Sequence, residues 1–215
     1  MDIQTMIFLA ITFVISISIH EFAHAWTSVK LGDPTPKLQW RLTPNPLVHI
    51  DPIGFLLIFV IGFGRWRPVI VNPSYYKNPL RDELLVAIAW PISNIILAFA
   101  GTIIMHIYIL LTGLDNALAG GDIIVQFWML FGWLNVALAV FNMIPIPPLD
   151  GYRVLTFLRP STQRFLLKYQ MYFGILLLGL IFLPGISGTV MWFISGISQF
   201  IYGIINTLVA SLFFW

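Results

Sequence analysis

Between residues 4 and 29 a single charged residue, Glu21, interrupts an otherwise apolar run, and histidines stand on either side of it in His20-Glu21-Phe22-Ala23-His24. Such a run forms a helix about 39 Å long at 1.5 Å per residue, enough to cross about 30 Å of hydrocarbon. Residues four apart share a helix face, so His20 and His24 can offer two imidazoles to one metal ion, with Glu21 beside them to handle a proton. A carboxylate at that depth costs about 2.5 to 3.5 kcal/mol on insertion scales, which is tolerated where it serves a function. Asp2 is the only charge ahead of the run. A secretory leader would carry a basic start, so the segment is expected to be a retained helix.

The rest of the chain fits the same solvent. It is 59% hydrophobic and 9% charged with mean hydropathy +0.89, against about 25% charged residues in soluble domains. There is no cysteine, so disulfides and thiolate metal sites are excluded, leaving His, Asp and Glu as strong ligands. The net charge of +2 does not describe a nucleic-acid surface. The 11 basic residues fall in three short groups, Lys30 to Arg41, Arg65 to Arg81 and Arg153 to Lys168, whereas Thr112 to Asp122 has two Asp and none. The positive-inside rule places the three groups in the cytoplasm and the N-terminus outside. His24 and His20 then lie about 9 and 15 Å along the helix from its cytoplasmic end at Lys30.

These features predict an all-α polytopic membrane protein of about five spanning helices, over 4–29, 84–111, 123–146, 169–183 and 186–213. The chain forms one membrane domain across residues 1–215, with its motifs in 4–160 and a C-terminal helical hairpin in 169–213. The run 53–64, flanked by basic groups and broken by Pro52 and Gly54, reads as re-entrant, which requires cover by protein or a wet cavity. The alternation of Lys37 to Leu42 predicts a short membrane-associated strand, with an edge strand at 66–71. Gly185, Gly188, Gly196 and Gly203 read as sites of close helix packing.

Two histidines fall short of a catalytic zinc, which ordinarily takes three protein ligands and a water. Asn142-Met-Ile-Pro-Ile-Pro-Pro-Leu-Asp150-Gly151 ends the helix over 123–146, because its prolines lack N–H donors. It delivers Asp150 to the same side of the membrane as His20 and His24, making that carboxylate a candidate third ligand. His106 falls near the far side and reads as a packing residue, whereas His49, before Asp51-Pro52, is a candidate auxiliary group at the site.

The two motifs together, in this order and on one side, resemble those of the site-2 protease family of intramembrane zinc metalloproteases, over about residues 4–160. His49 to Gly54 matches the His-x-Asp-Pro-x-Gly of compact bacterial and archaeal members without PDZ or CBS domains. The resemblance implies Zn2+ held by His20, His24 and Asp150, Glu21 as catalytic base, and Asn94 and Asn142 close to the site. Either Asn could donate to a tetrahedral oxyanion, a contribution of about 2.7 to 4 kcal/mol per donor in a comparable site. The alternative for both is hydrogen bonding between helices. One departure stands out. The family glycine before Pro91 is Trp90 here.

The expected activity is hydrolysis of peptide bonds within or near spanning segments of a transmembrane protein or peptide, in a lipid bilayer and at the cytoplasmic side of a cell membrane. The strand at 37–42 would receive the unwound substrate by β-addition. No nucleic acid is implied, and a homo-oligomer is compatible with the reading. The rival readings are a catalytically inert membrane-binding homologue, against which the intact Glu21 argues, and a metal transporter.

Overall fold

The computed structural model describes residues 2–55, 67–113, 121–183 and 187–213. Its long helices follow the apolar runs: α1 (Ile3–Lys30), α4 (Pro79–Thr112), α5 (Ile123–Asn142) and α9 (Ser187–Phe213). Shorter pieces lie between them: α2 (Thr35–Leu38), α3 (Pro46–His49), α6 (Gly151–Leu158), α7 (Gln163–Lys168) and α8 (Gln170–Phe182). Local chemistry sets the boundaries. The Asp2 carboxylate caps α1 by accepting from the Thr5 N–H at 2.6 Å, and Asp122 caps α5 by accepting from Ile124 and Val125. Pro79 opens α4, where its missing N–H removes nothing from the helical ladder.

Among the described residues four helices, α1, α4, α5 and α9, are long and apolar enough to cross a membrane. The segment expected to span at 169–183 yields only the 13-residue α8. It passes the same length and composition test only together with the piece before it, from which it is bent by 77°. At 1.5 Å per residue α8 alone is about 20 Å long, short of a bilayer core. The apolar run 56–66 lies outside the described residues, so the re-entrant reading of 53–64 is met only by helical backbone at 52–55.

Helices α4 and α5 pack most extensively, α1 lies against α4, and α9 crosses both, while α8 rests chiefly on α9. Ala98 of α4, Val136 of α5 and Ile205 and Val209 of α9 form the shared core. The glycines that permit this closeness are Gly101 and Gly132. A Cβ on Gly132 would fall 2.5 Å from the Tyr202 ring, and one on Gly101 2.7 Å from Phe131. Gly188, Gly196 and Gly203, expected as packing sites, have open space at that position, and Gly185 lies outside the described residues.

The faces of α1 separate by polarity. Ile3, Ile7, Ile11 and Ile15 point outward, whereas Thr12, Ser16 and His24 are buried on the opposite face. That inversion suits an apolar solvent, in which polar side chains turn toward neighbouring helices.

The expected strands are corrected. No β-strand occurs among the described residues, and Ile50 alone has a β-bridge. Residues 35–38 form α2 instead, because Asp33 accepts from the Thr35 N–H at 2.9 Å and starts a helical turn. Trp40 then takes φ +57°, which no strand accommodates. Leu38 and Trp40 are exposed at 74% and 85%, so their alternation marks no core-facing side. The described part of 66–71, residues 67–71, is irregular too. Side chains meet its backbone where a neighbouring strand would: Gln39 bonds the N–H and C=O of Ile70, Asp33 accepts from Asn72 N–H, and Glu21 accepts from Val69 N–H.

Candidate metal centre

His20, Glu21 and His24 lie in the last three turns of α1. Asp150 comes from beyond the C-terminus of α5, where Pro145, Pro147 and Pro148 prevent further helix. There the chain folds back on itself. A Cβ on Gly151 would collide with the carbonyl oxygens of Met143 and Ile144, so only glycine can follow Asp150 in this conformation. Asp150 occupies the N-cap position of α6 but makes no capping bond with its side chain, and its carboxylate turns to the histidines.

His20, His24 and Asp150 each offer one ligand atom, and these atoms all lie within 4.8 Å of one another. The His24 Nε2 to Asp150 Oδ2 distance is 3.1 Å. Two ligands on a tetrahedral zinc, with bonds of about 2.0 to 2.1 Å, stand about 3.3 Å apart. The donor set of two imidazole nitrogens and one carboxylate oxygen therefore fits zinc in chemistry, and its His24–Asp150 pair fits it in spacing.

Hydrogen bonds fix which atoms face the centre. His24 Nδ1 lies 2.9 Å from the Val86 carbonyl oxygen, which can only accept, so Nδ1 carries a proton and Nε2 is the atom that faces Asp150 and would bind an ion. Pro91 withdraws the N–H that the Ala87 carbonyl would accept, loosening the turn from which Val86 presents its oxygen. Burial alone would raise the Asp150 carboxyl. The imidazoles of His24 and His20 and the Arg153 guanidinium outweigh it and hold the group well below the usual carboxylate range, ionised as a ligand must be.

Glu21 is 2% exposed. Its Oε2 accepts from the Val69 N–H at 2.7 Å, and its Oε1 lies 3.5 Å from His20 Nε2. One carboxylate oxygen is thus anchored, leaving the other on the ligand side. The centre opens on a cavity of about 860 Å³. Phe13 of α1, Trp133, Leu138 and Phe141 of α5, Leu177 and Ile181 of α8 and Met191 and Ile194 of α9 line it, together with Pro68, Val69 and Val71, of which Val69 bonds Glu21.

The remaining candidates separate. Asn142 lines the cavity, and its Nδ2 donates to the Leu138 carbonyl at 3.3 Å. Asn94 is fully buried outside the cavity lining, with its Oδ1 3.5 Å from Ser93 Oγ. His49 is likewise fully buried and outside the lining; its Nε2 meets the Thr43 carbonyl at 2.8 Å. His106 is buried on α4, against the Thr102 carbonyl and the Phe213 ring. Sequence reasoning missed Val69, which acts through its backbone N–H and so carries no side-chain signature. It also missed Arg153, a cation lining the cavity whose position three residues after Asp150 was the available signal.

A convergent His-His-Asp donor set beside a buried glutamate, carried on helices apolar enough to cross a bilayer, defines the class of membrane metalloproteases. Comparison with known proteins agrees. The model of peptidase family M50 matches residues 106–184, which include Asp150. The chain is 39% identical over 193 residues to a Bacillus subtilis protein named "Putative zinc metalloprotease YwhC", covering 88% of this chain and 86% of that one. It is 30% identical over 203 residues to the Mycolicibacterium smegmatis protein named "Putative zinc metalloprotease Rip2", covering 87% and 74%. It is also 27% identical over 150 residues to stage IV sporulation protein FB of Bacillus subtilis, covering 66% and 47%. No solved structure matches. The chain belongs to peptidase family M50, the site-2 proteases, and is a multi-pass membrane protein.

Proposed function

We propose that this protein is an intramembrane zinc endopeptidase that cuts membrane-spanning substrates, with its centre toward the cytoplasmic side and its N-terminus outside. The observation that carries the reading is the buried Glu21 carboxylate beside three ligand atoms within 4.8 Å of one another, at the wall of a cavity of about 860 Å³. His20, His24 and Asp150 would hold the ion. When bound, zinc supplies Lewis acidity toward the scissile carbonyl and toward the attacking water.

The chain's own residues do the rest. Glu21 takes a proton from the water through the oxygen that Val69 leaves unanchored, then hands it to the departing amine. The Val69 N–H keeps the carboxylate from rotating away between these steps. Asn142 offers an amide at the cavity wall to the oxygen on which negative charge develops, at the expense of its long bond to Leu138. The apolar walls suit the side chains of a spanning segment, which must unwind locally because its amides are engaged in helical bonds. The basic groups around Lys30, Arg67 and Arg153 support a cytoplasmic placement of this end.

The test compares wild type with Glu21→Gln, both reconstituted in lipid, for cleavage of a transmembrane peptide and for bound zinc. The expected result is retention of zinc with cleavage reduced roughly 10²- to 10⁴-fold, the usual contribution of a positioned acid–base group. Equal cleavage by the two proteins would remove Glu21 as the base.

A further inference from the structure

The register between α1 and α4 draws attention to Trp90. His24 meets Val86 through a hydrogen bond, and His20 meets Trp90 with ring centroids 4.3 Å apart and planes at 65°. Val86 and Trp90 are four residues apart on α4, as the two histidines are on α1, so adjacent turns of one helix each meet one ligand of the other. The two contacts differ in kind. A carbonyl fixes the His24 ring, whereas no hydrogen bond to a backbone carbonyl holds His20 among the described residues. Its ring is bounded instead by Trp90 on one side and by His24, edge-on at 4.6 Å, on the other.

We propose that Trp90 is a positioning residue of the metal centre, its indole holding the His20 imidazole in the ligating rotamer as the Val86 carbonyl holds His24. This rests on the metalloprotease reading above. Trp90 is 2% exposed and does not line the cavity, so it stands behind His20 and not on the cavity wall. Its indole N–H is buried with no hydrogen-bond partner among the described residues. A site needing bulk alone would be filled more cheaply by an aliphatic side chain. What an aromatic ring adds here is a flat surface for edge-to-face contact, which restrains the tilt of a neighbouring imidazole as well as its place. The support of His20 thus comes from α4, as that of His24 does, by a ring in place of a carbonyl.

The experiment uses the full chain in lipid nanodiscs, stripped of metal and titrated with Co2+ against a competing chelator. Affinity and the visible absorption band of the bound ion are both read. Trp90→Phe keeps a ring and should bind within about threefold of wild type with an unchanged band. Trp90→Leu and Trp90→Gly should lose roughly 10- to 100-fold in affinity, as groups that orient metal ligands generally do, with a shifted or weakened band. Thermal stability of the metal-free proteins is measured alongside, and a change there without a change in the band is the structural outcome that overturns the proposal. Leu and Gly variants matching wild type in affinity and band also overturn it. Should those variants fail to fold, wild type carrying 5-fluorotryptophan decides, with its Trp90 resonance identified by Trp90→Phe. A shift of that resonance on Zn2+ addition supports the contact, and none overturns it. Failure of the underlying reading looks different: wild type would then bind no Co2+, or His24→Ala would bind it as well as wild type.

Discussion

In the half of the α1–α4 seam nearer Lys30, His20 and His24 meet Trp90 and Val86. In the half nearer Ile3, the same spacing of four continues on each helix, to Ser16 and Thr12 of α1 and to Asn94 and Ala98 of α4. The spacing along both helices is four residues throughout. What differs is access. His20, Glu21, His24 and Val86 line the cavity, whereas Thr12, Ser16, Asn94 and Ala98 are fully buried away from it. A periodic polar stripe thus faces a cavity where one reaches it, and is packed between helices where none does.

Removing a ligand should break this comparison most sharply. His24→Ala and Asp150→Ala are expected to lower zinc affinity by more than about a hundredfold, beyond the 10- to 100-fold typical of groups behind the ligands, and to abolish cleavage with it. Ser16→Ala, two turns from His24 on the same face, should leave both within about twofold. Metal content after dialysis against a chelator distinguishes the two. Retention of zinc by Asp150→Ala would remove it from the ligand set.

The two asparagines sharpen the same contrast at a smaller scale. Asn142 lines the cavity and Asn94 lies in the packed half. Asn142→Ala should reduce kcat about 10²-fold with KM little changed, as expected for a donor used mainly in the transition state. Asn94→Ala should stay within about threefold in kcat, with its effect in thermal stability. The opposite ranking would place the oxyanion donor on α4.

Much of this architecture could be read from the chain because a bilayer solvent imposes long uncharged runs, and α1, α4, α5 and α9 follow from those runs. His20, Glu21 and His24 were legible because their spacing matches a helical turn, and Asp150 because three prolines must end α5 just before it. Residues 37–42 were misread because alternation was given weight without its surroundings. The Asp33 carboxylate starts a helical turn there, and Gln39 then bonds the Ile70 backbone that a strand would have paired. The close-packing glycines were misplaced because Gly101 and Gly132 matter only through Phe131 and Tyr202, which a local reading cannot bring opposite them. The contact of Trp90 with His20 depends on a register between helices some seventy residues apart in the chain, and the sequence alone carries no sign of it.

Asp33 ties the site's rim to the end of α1. Its carboxylate is fully buried and accepts from Ser28 Oγ, Thr35 N–H and Asn72 N–H at 2.7, 2.9 and 2.8 Å. Burial alone would raise this carboxyl, but those three bonds prevail and lower it below its ordinary value. A lowered folded-state value means the stabilisation is fully present above the unfolded carboxyl's range, near 3.8, and is lost as pH falls through the folded value. Asp33→Asn should therefore cost roughly 1 to 3 kcal/mol at neutral pH. Its deficit against wild type should narrow on acidification below about pH 4. Thermal denaturation at several pH values checks this, and a deficit constant with pH would mean that the charge contributes nothing.

The smallest effects belong to the packed half, where they test whether polarity matters there at all. The hydroxyls of Thr12 and Ser16 are buried with no hydrogen-bond partner among the described residues. Replacing the Ser16 hydroxyl by hydrogen should then change stability by less than about 1 kcal/mol in either direction, since hydrogen bonds between membrane helices average only about 0.6. Ser16→Leu should instead cost about 1 to 3 kcal/mol by wedging the helices apart. It should also lower cleavage several-fold, because shifting α1 would disturb the register that brings Val86 and Trp90 to the histidines. If Ser16→Ala proved as harmful as Ser16→Leu, the hydroxyl rather than the small volume would be what the outer half requires, and the division between a chemical and a packing half of the seam would fail.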